Sequence, residues 1–188
     1  MVPDTKSLRL SQQLGIGTIS VMELLRVVDV PKRKRDRKTR PEVIYIAPAF
    51  CRKCSSVLWN DPVGVMHDQW LFDATEMAAR VARADMDSLR ILFNADNTGL
   101  MWLETVVKKA DEFRWRMYNT YFKEVVLTHS DSAYVSWRSV MDEMLSKTGG
   151  RATRIVDCQR FVLNEPLIEG YTKPKYRSGD LFPDKRTP

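Results

Sequence analysis

From Trp70 onward, apolar side chains recur at three- and four-residue steps, the period of an amphipathic helix. Trp70, Leu71, Ala74, Met77, Ala78 and Val81 predict one helix over about 68–83. Met86, Leu89, Leu92 and Phe93 predict a second over about 86–95, stopped by Asn97-Thr98-Gly99. Leu100, Leu103, Val106 and Val107 predict a short helix, and Phe113, Met117, Tyr121, Phe122 and Val125 a longer one. His129-Ser130-Asp131-Ser132 breaks the pattern. Asp131 or Ser132 then serves as N-cap to a helix carrying Val135, Val140, Met141, Met144 and Leu145, which ends at Gly149-Gly150. A last helix, over about 151–163, carries Ile155, Val156, Phe161 and Val162.

One spacing cuts across these elements. Trp70-Leu71, Trp102-Leu103 and Tyr134-Val135 fall 32 residues apart twice in succession. A period of that length predicts an all-α core of about three helix pairs, each too small to bury its own apolar face, so that neighbours stack. An ordinary five-helix bundle anchored by tryptophans is the alternative. Both are all-α. The expected organisation is an N-terminal arm over 1–67, a helical-repeat core over 68–163 and an extended C-terminal tail over 164–188.

Within the arm, residues 1–17 read as extended. Ser20 through Val30 predicts a helix, with Ser20-Val21-Met22-Glu23 as a capping box and Pro31 as the stop. Glu42 through Phe50 is a strand-like run, Val43-Ile44-Tyr45-Ile46 before Pro48, with no evident partner strand in the chain. The tail carries Pro166, Pro174, Pro183 and Pro188, with Tyr171, Tyr176, Leu181 and Phe182 spaced like anchors. An ordered tail of that kind implies a neighbouring protein that holds it.

Charge sharpens the picture. Lys32, Arg33, Lys34, Arg35, Arg37, Lys38 and Arg40 stand against Asp36 alone, leaving 23 basic and 23 acidic residues elsewhere, so the net charge of +6 resides in one stretch. That stretch is a candidate contact for phosphates or an acidic protein surface, or else a solvated loop held open by self-repulsion; such runs also serve in nuclear targeting. A helical core that is neutral overall argues against RNA tracked along its length, because phosphate neutralisation supplies most of that affinity.

Candidate chemistry is sparse. Cys51-Arg52-Lys53-Cys54 has the spacing of half a zinc site, which His67 and Cys158 could complete, or of a redox pair, or holds two inert thiols. His67 and His129 read as helix-start and helix-end residues. Gly15-Ile16-Gly17 lacks the third glycine and the lysine of the nucleotide motifs. No nucleophile stands with an evident base, so no enzymatic activity and no cofactor is expected. Three cysteines, an odd number, point to a reducing compartment. No apolar leader follows Met1, and no run of 18 apolar residues predicts a membrane span.

Ala82-Arg83-Ala84-Asp85-Met86-Asp87-Ser88-Leu89-Arg90-Ile91-Leu92-Phe93 resembles the turn and second helix of a pentatricopeptide repeat. Tyr118-Asn119-Thr120 and Met141-Asp142-Glu143-Met144-Leu145-Ser146-Lys147 are also similar to pieces of that repeat, although they fall in other helices than a 32-residue frame requires. The resemblance covers about half the chain. It implies a mitochondrial protein, a non-catalytic accessory subunit of a large assembly. The small accessory subunits on the catalytic head of euglenozoan ATP synthases are similar in size and in having about three degenerate repeats. The partner-binding residues expected on this reading are the seven cations of 32–40 with Tyr171, Tyr176 and Phe182. An RNA-binding repeat protein, alone or in a mitochondrial ribosome, is the second reading, although three repeats would read about three bases. A viral or cytoskeletal assembly protein is the third.

Overall fold

The structure, a computed structural model, describes residues 15–94 and 97–174 together with Arg9, Gln12 and Gln13. Tyr176, Leu181 and Phe182 lie outside the described residues. The fold is mixed α/β, not all-α: among the described residues two small antiparallel sheets pack with the helices, and these residues form no solenoid of stacked helix pairs.

The decisive element is the stretch expected to be the arm's helix. Met22–Pro31 is a strand, β2, and it pairs antiparallel with β3, Val43–Phe50. Met22, Leu25 and Val28 mimic helical spacing, yet the side chains sort by twos. Met22, Leu24, Val28 and Val30 face the helices with Ile44 and Ile46, while Val27 and Asp29 face the other way with Tyr45. A strand buried on both faces reads as a continuous apolar run, which spacing alone does not distinguish from a helix. The apparent capping box is also used otherwise, since the Ser20 hydroxyl donates to Asp68 at 2.6 Å. The strand at 43–50 therefore finds its partner inside the chain.

Tyr171–Thr172, β5, adds a third strand on the far edge of β2, and β1 (Thr18–Ile19) pairs with β4 (Ser56–Val57) as a separate ribbon.

The helices are fewer and longer than the pattern predicted. Helix α1 runs unbroken from Pro62 to Phe93, because nothing between Arg83 and Met86 stops it. Asp61 caps it, accepting from Gly64 N–H at 2.8 Å, with Pro62 in the first turn. The same carboxylate accepts from Gly17 N–H at 2.6 Å, and these N–H groups, Gly64's foremost, hold the Asp61 carboxyl below its ordinary value. Asn94, in the left-handed region at φ 46°, ends the helix.

Helix α2, Gly99–Tyr121, is likewise single and leads into a π-helical turn at Phe122–Val126. A Cβ at Gly99 would come within 2.5 Å of Val28, so glycine lets α2 begin against the sheet. Helix α3, Asp131–Lys147, takes Ser130 as N-cap rather than Asp131 or Ser132, and α4 spans Ile155–Leu163.

Helix α1 joins two cores. Its C-terminal half lays Ala78, Ala79, Ala82 and Met86 on the sheet beside Leu103, Val106, Val107 and Ala110 of α2. Its N-terminal half carries Trp70, fully buried, stacked on Tyr121 at 3.8 Å between ring centroids and edge-on to Trp137 of α3. The 32-residue spacing thus marks one aromatic in each of three successive helices of unequal length. Helix α4 covers the opposite face of the sheet. There Arg160 forks onto Asp29 at 2.6 and 2.8 Å, with both side chains 1% exposed. Among the described residues no helix is long and apolar enough to cross a membrane.

Candidate anion-binding face

The β2–β3 connection carries the basic stretch as a hairpin tip wound into a 3-10 turn, Lys34–Lys38. Its seven cations divide. Arg37 donates to the Pro31 carbonyl at 3.1 Å. Arg40 donates to Glu169 O and sits 4.7 Å over the Tyr171 ring, while the Tyr171 hydroxyl donates to Pro41 O at 2.9 Å. Arg37 thus ties the tip back to β2, while Arg40 and Tyr171 close the hairpin onto β5. Lys32, Arg33, Lys34 and Lys38 are exposed and make no ion pair or side-chain hydrogen bond among the described residues, and exposed Arg35 meets only its neighbour Asp36.

At the base of the tip stands Glu42. Its buried carboxylate accepts from Leu100 N–H at 3.0 Å, so that the residue just before strand β3 supplies an acid to the N-terminus of α2. Burial pushes its carboxyl up, against the pull of those helix N–H groups and of Arg90 and Arg37. The Glu42 carbonyl accepts from Arg90 at 3.5 Å, and Arg90 opens the second basic feature.

That feature is a cleft of about 230 Å³ between β3, α1 and the loop joining α3 to α4. Four arginines line it, Arg83, Arg90, Arg151 and Arg154, with Asp87 the one acid among its lining residues. Helix periodicity places them: Glu76, Arg80 and Arg83 recur at i, i+4 and i+7 on one face of α1 and bind the loop. Glu76 accepts from Arg80 at 2.7 Å and from Thr153 N–H at 2.9 Å, while Arg80 donates to Leu145 O and to Thr148 Oγ1 at 3.0 Å. Arg83 donates to the carbonyls of Arg151 and Ile46 and to Thr153 Oγ1. Burial lowers the Arg83 pKa, opposed by Glu76.

The other three guanidiniums are held to different degrees. Arg90 keeps a buried Nε–H without a partner among the described residues. Arg151 stands 3.6 Å from Asp87, and Arg154 forks onto Asp157 at 3.0–3.1 Å. The exposed tip therefore presents unpaired cations, and the pocket adds arginines that are mostly paired with acids or carbonyls but include the unsatisfied Nε–H of Arg90; donors of this kind suit phosphate oxygens.

The residues considered for zinc do not converge as a tetrad. Cys51 and Cys54 are joined as a disulfide in the turn after β3. His67 lies in α1, its Nδ1 at 2.6 Å from the Tyr121 hydroxyl and its ring against Tyr134, and Cys158 is exposed on α4. Burial lowers the His67 pKa, with Asp61 and Asp68 opposing. His67 borders an apolar groove of about 450 Å³ with Ile16, Leu71, Trp115 and Phe122, where Ser20 engages Asp68 rather than the imidazole.

Sequence reasoning singled out the tip but missed the cleft. The signal was present in part, since Arg83 and Arg90 stand seven residues apart on one helix, but Arg151 and Arg154 join them only through the folded loop. No protein-family model, no curated protein and no solved structure matches this chain.

Proposed function

We propose that the chain is a binding protein for the phosphate backbone of a nucleic acid, with RNA as the expected ligand, engaged by the hairpin tip and the arginine cleft together. The observation that carries this reading is continuity. Exposed, unpaired cations at Lys32, Arg33, Lys34 and Lys38 run through Arg90, at the base of the tip, into a pocket lined by three more arginines. Backbone neutralisation releases counterions, so affinity on this reading falls steeply with salt, by about 0.7 in logarithmic slope per phosphate on a single strand.

Fluorescence anisotropy of a labelled single-stranded RNA, titrated at several salt concentrations, tests the reading. The wild type is expected to bind at low salt with a steep negative slope. Alanine at Lys32, Arg33, Lys34 and Lys38 is expected to flatten that slope by about 3. Salt-independent binding, or an unchanged slope in the variant, overturns it.

A second reading is favoured by a different observation. Helix α4 exposes Ile155 (79%) and Val162 (83%), and the C-terminal end of α1 exposes Ile91 and Leu92. An accessory subunit docked on a large assembly would cover such residues, and a mitochondrial assembly such as the ATP synthase catalytic head is the candidate the repeat-like residues suggest. Retention in a native complex after nuclease treatment would favour this second reading over the first.

A further inference from the structure

At the other end of β3 from the basic tip, three side chains of ligand type meet. The Glu23 carboxylate and the Cys51 and Cys54 sulfurs lie within 4.8 Å of one another. Strand register brings them there. Glu23 pairs with Ala49, and Cys51, two residues further on, projects from the same side of the sheet, diagonally across from Glu23. Cys51 N–H continues the ladder by donating to Val21 O at 2.9 Å. Glu23 is exposed, and its carboxylate has no ion pair or hydrogen bond among the described residues.

We infer that the reduced form of this turn is a zinc(II) site, with Cys51 Sγ, Cys54 Sγ and one Glu23 carboxylate oxygen as ligands and water in the fourth position. In the disulfide form the sulfurs are bonded to each other and offer no thiolate, so metal binding and the disulfide exclude one another. A dithiol reductant opens the site: two electrons and two protons pass to Cys51 and Cys54, and the reductant closes its own disulfide. Zinc then takes both thiolates, releasing two protons to water, and the metal with its three anionic ligands carries one net negative charge. Arg52 and Lys53, between the cysteines, supply the compensating field.

The geometry fits without rebuilding the backbone. Zinc–sulfur bonds of about 2.3 Å and a zinc–oxygen bond of about 2.0 Å set ligand–ligand edges of about 3.5–3.8 Å, inside the present gathering. Reduction asks the sulfurs to separate to about 3.8 Å, which the exposed Cys54 side chain can do by rotation. The turn itself does not depend on the disulfide. Cys54 N–H donates to Cys51 O at 3.1 Å, Ser55 Oγ donates to the same carbonyl at 2.8 Å, and Val21 N–H donates to Ser55 Oγ at 3.0 Å.

Cobalt(II) titration of the full chain reads the site directly, through sulfur-to-cobalt charge-transfer bands and the tetrahedral d–d absorption that zinc displaces. Protein reduced with a phosphine and freed of it is expected to bind one cobalt ion per chain with two thiolate ligands, and the disulfide form is expected to show no such bands. Cys51→Ser or Cys54→Ser should abolish them, while Cys158→Ser leaves them unchanged. Glu23→Gln should weaken zinc by about tenfold or more, since loss even of groups behind a ligand costs that much. Absence of thiolate bands in the reduced wild type, or bands that survive Cys51→Ser, overturns the inference. Undiminished affinity in Glu23→Gln removes the third ligand and with it the site as stated. The comparison of oxidised with reduced wild type needs no variant to fold.

Discussion

Arg160 and Lys34 carry the same charge in opposite circumstances. Arg160 is sealed behind the sheet in a two-pronged pair with Asp29, whereas Lys34 stands in solvent at the end of a hairpin. The cleft arginines lie between these extremes. Arg83 is consumed by three oxygens of the surrounding chain, and Arg90 retains a buried N–H with nothing to meet it among the described residues. Charge that has been matched inside the fold maintains structure, and charge left unmatched is available to a ligand. A count of basic residues does not separate the two, because it takes no account of the carbonyls and carboxylates each one faces.

The sharpest way to break that contrast is to remove the acid from the sealed pair. Asp29→Ala leaves a buried guanidinium uncompensated and is expected to cost about 3–5 kcal/mol of stability in urea unfolding, with RNA affinity unchanged for whatever fraction remains folded. Arg83→Ala comes next. It orphans the carbonyls of Ile46 and Arg151 and loosens the loop that carries Arg151 and Arg154, at about 1–3 kcal/mol; RNA binding should weaken with it.

His67 offers a smaller, pH-dependent effect. Its folded pKa lies below the ordinary 6.5 because burial disfavours the imidazolium. As pH falls through 6.5 the unfolded chain takes up the proton first, so this group withdraws stability on acidification until the folded value is passed, and restores it as pH rises. Unfolding at pH 5 and pH 7.5, compared between the wild type and His67→Phe, should show a stability gain with pH that is shallower in the variant. Last comes the tip. Alanine at Lys32, Arg33, Lys34 and Lys38 is expected to leave stability within about 0.5 kcal/mol, although it is the change expected to reduce the salt dependence of RNA binding most.

Two adjacent segments show how local information succeeded and failed. The helical content of 68–163 was legible from the spacing of Trp70, Ala74, Met77 and their successors, because an amphipathic face is encoded within a few turns, whereas the first turn at Pro62 was read as part of the arm. The helix boundaries were not. Proposed breaks near Arg83 and after Val107 assumed helix pairs, and neither site contains a residue that ends a helix. Met22–Pro31 went wrong for a deeper reason. Leu24, Val28 and Val30 face α1 and α2, while Val27 and Asp29 face the opposite side, and only the presence of layers on both sides explains an apolar run without clean alternation.

By itself the sequence determined that the chain has a substantial apolar core, that helices dominate from about residue 68 onward, and that its net charge is concentrated at 32–40, since these depend on composition and near-neighbour periodicity. Tertiary structure alone decided that Ser20–Val30 would contribute a strand rather than a helix and that Arg90 would meet Arg151 and Arg154 across a cleft. It also put Glu23, rather than His67 or Cys158, beside the two cysteines. Each of those outcomes joins residues far apart in the chain, and the free energy that selects them comes from burial and pairing that exist only once the partners have met.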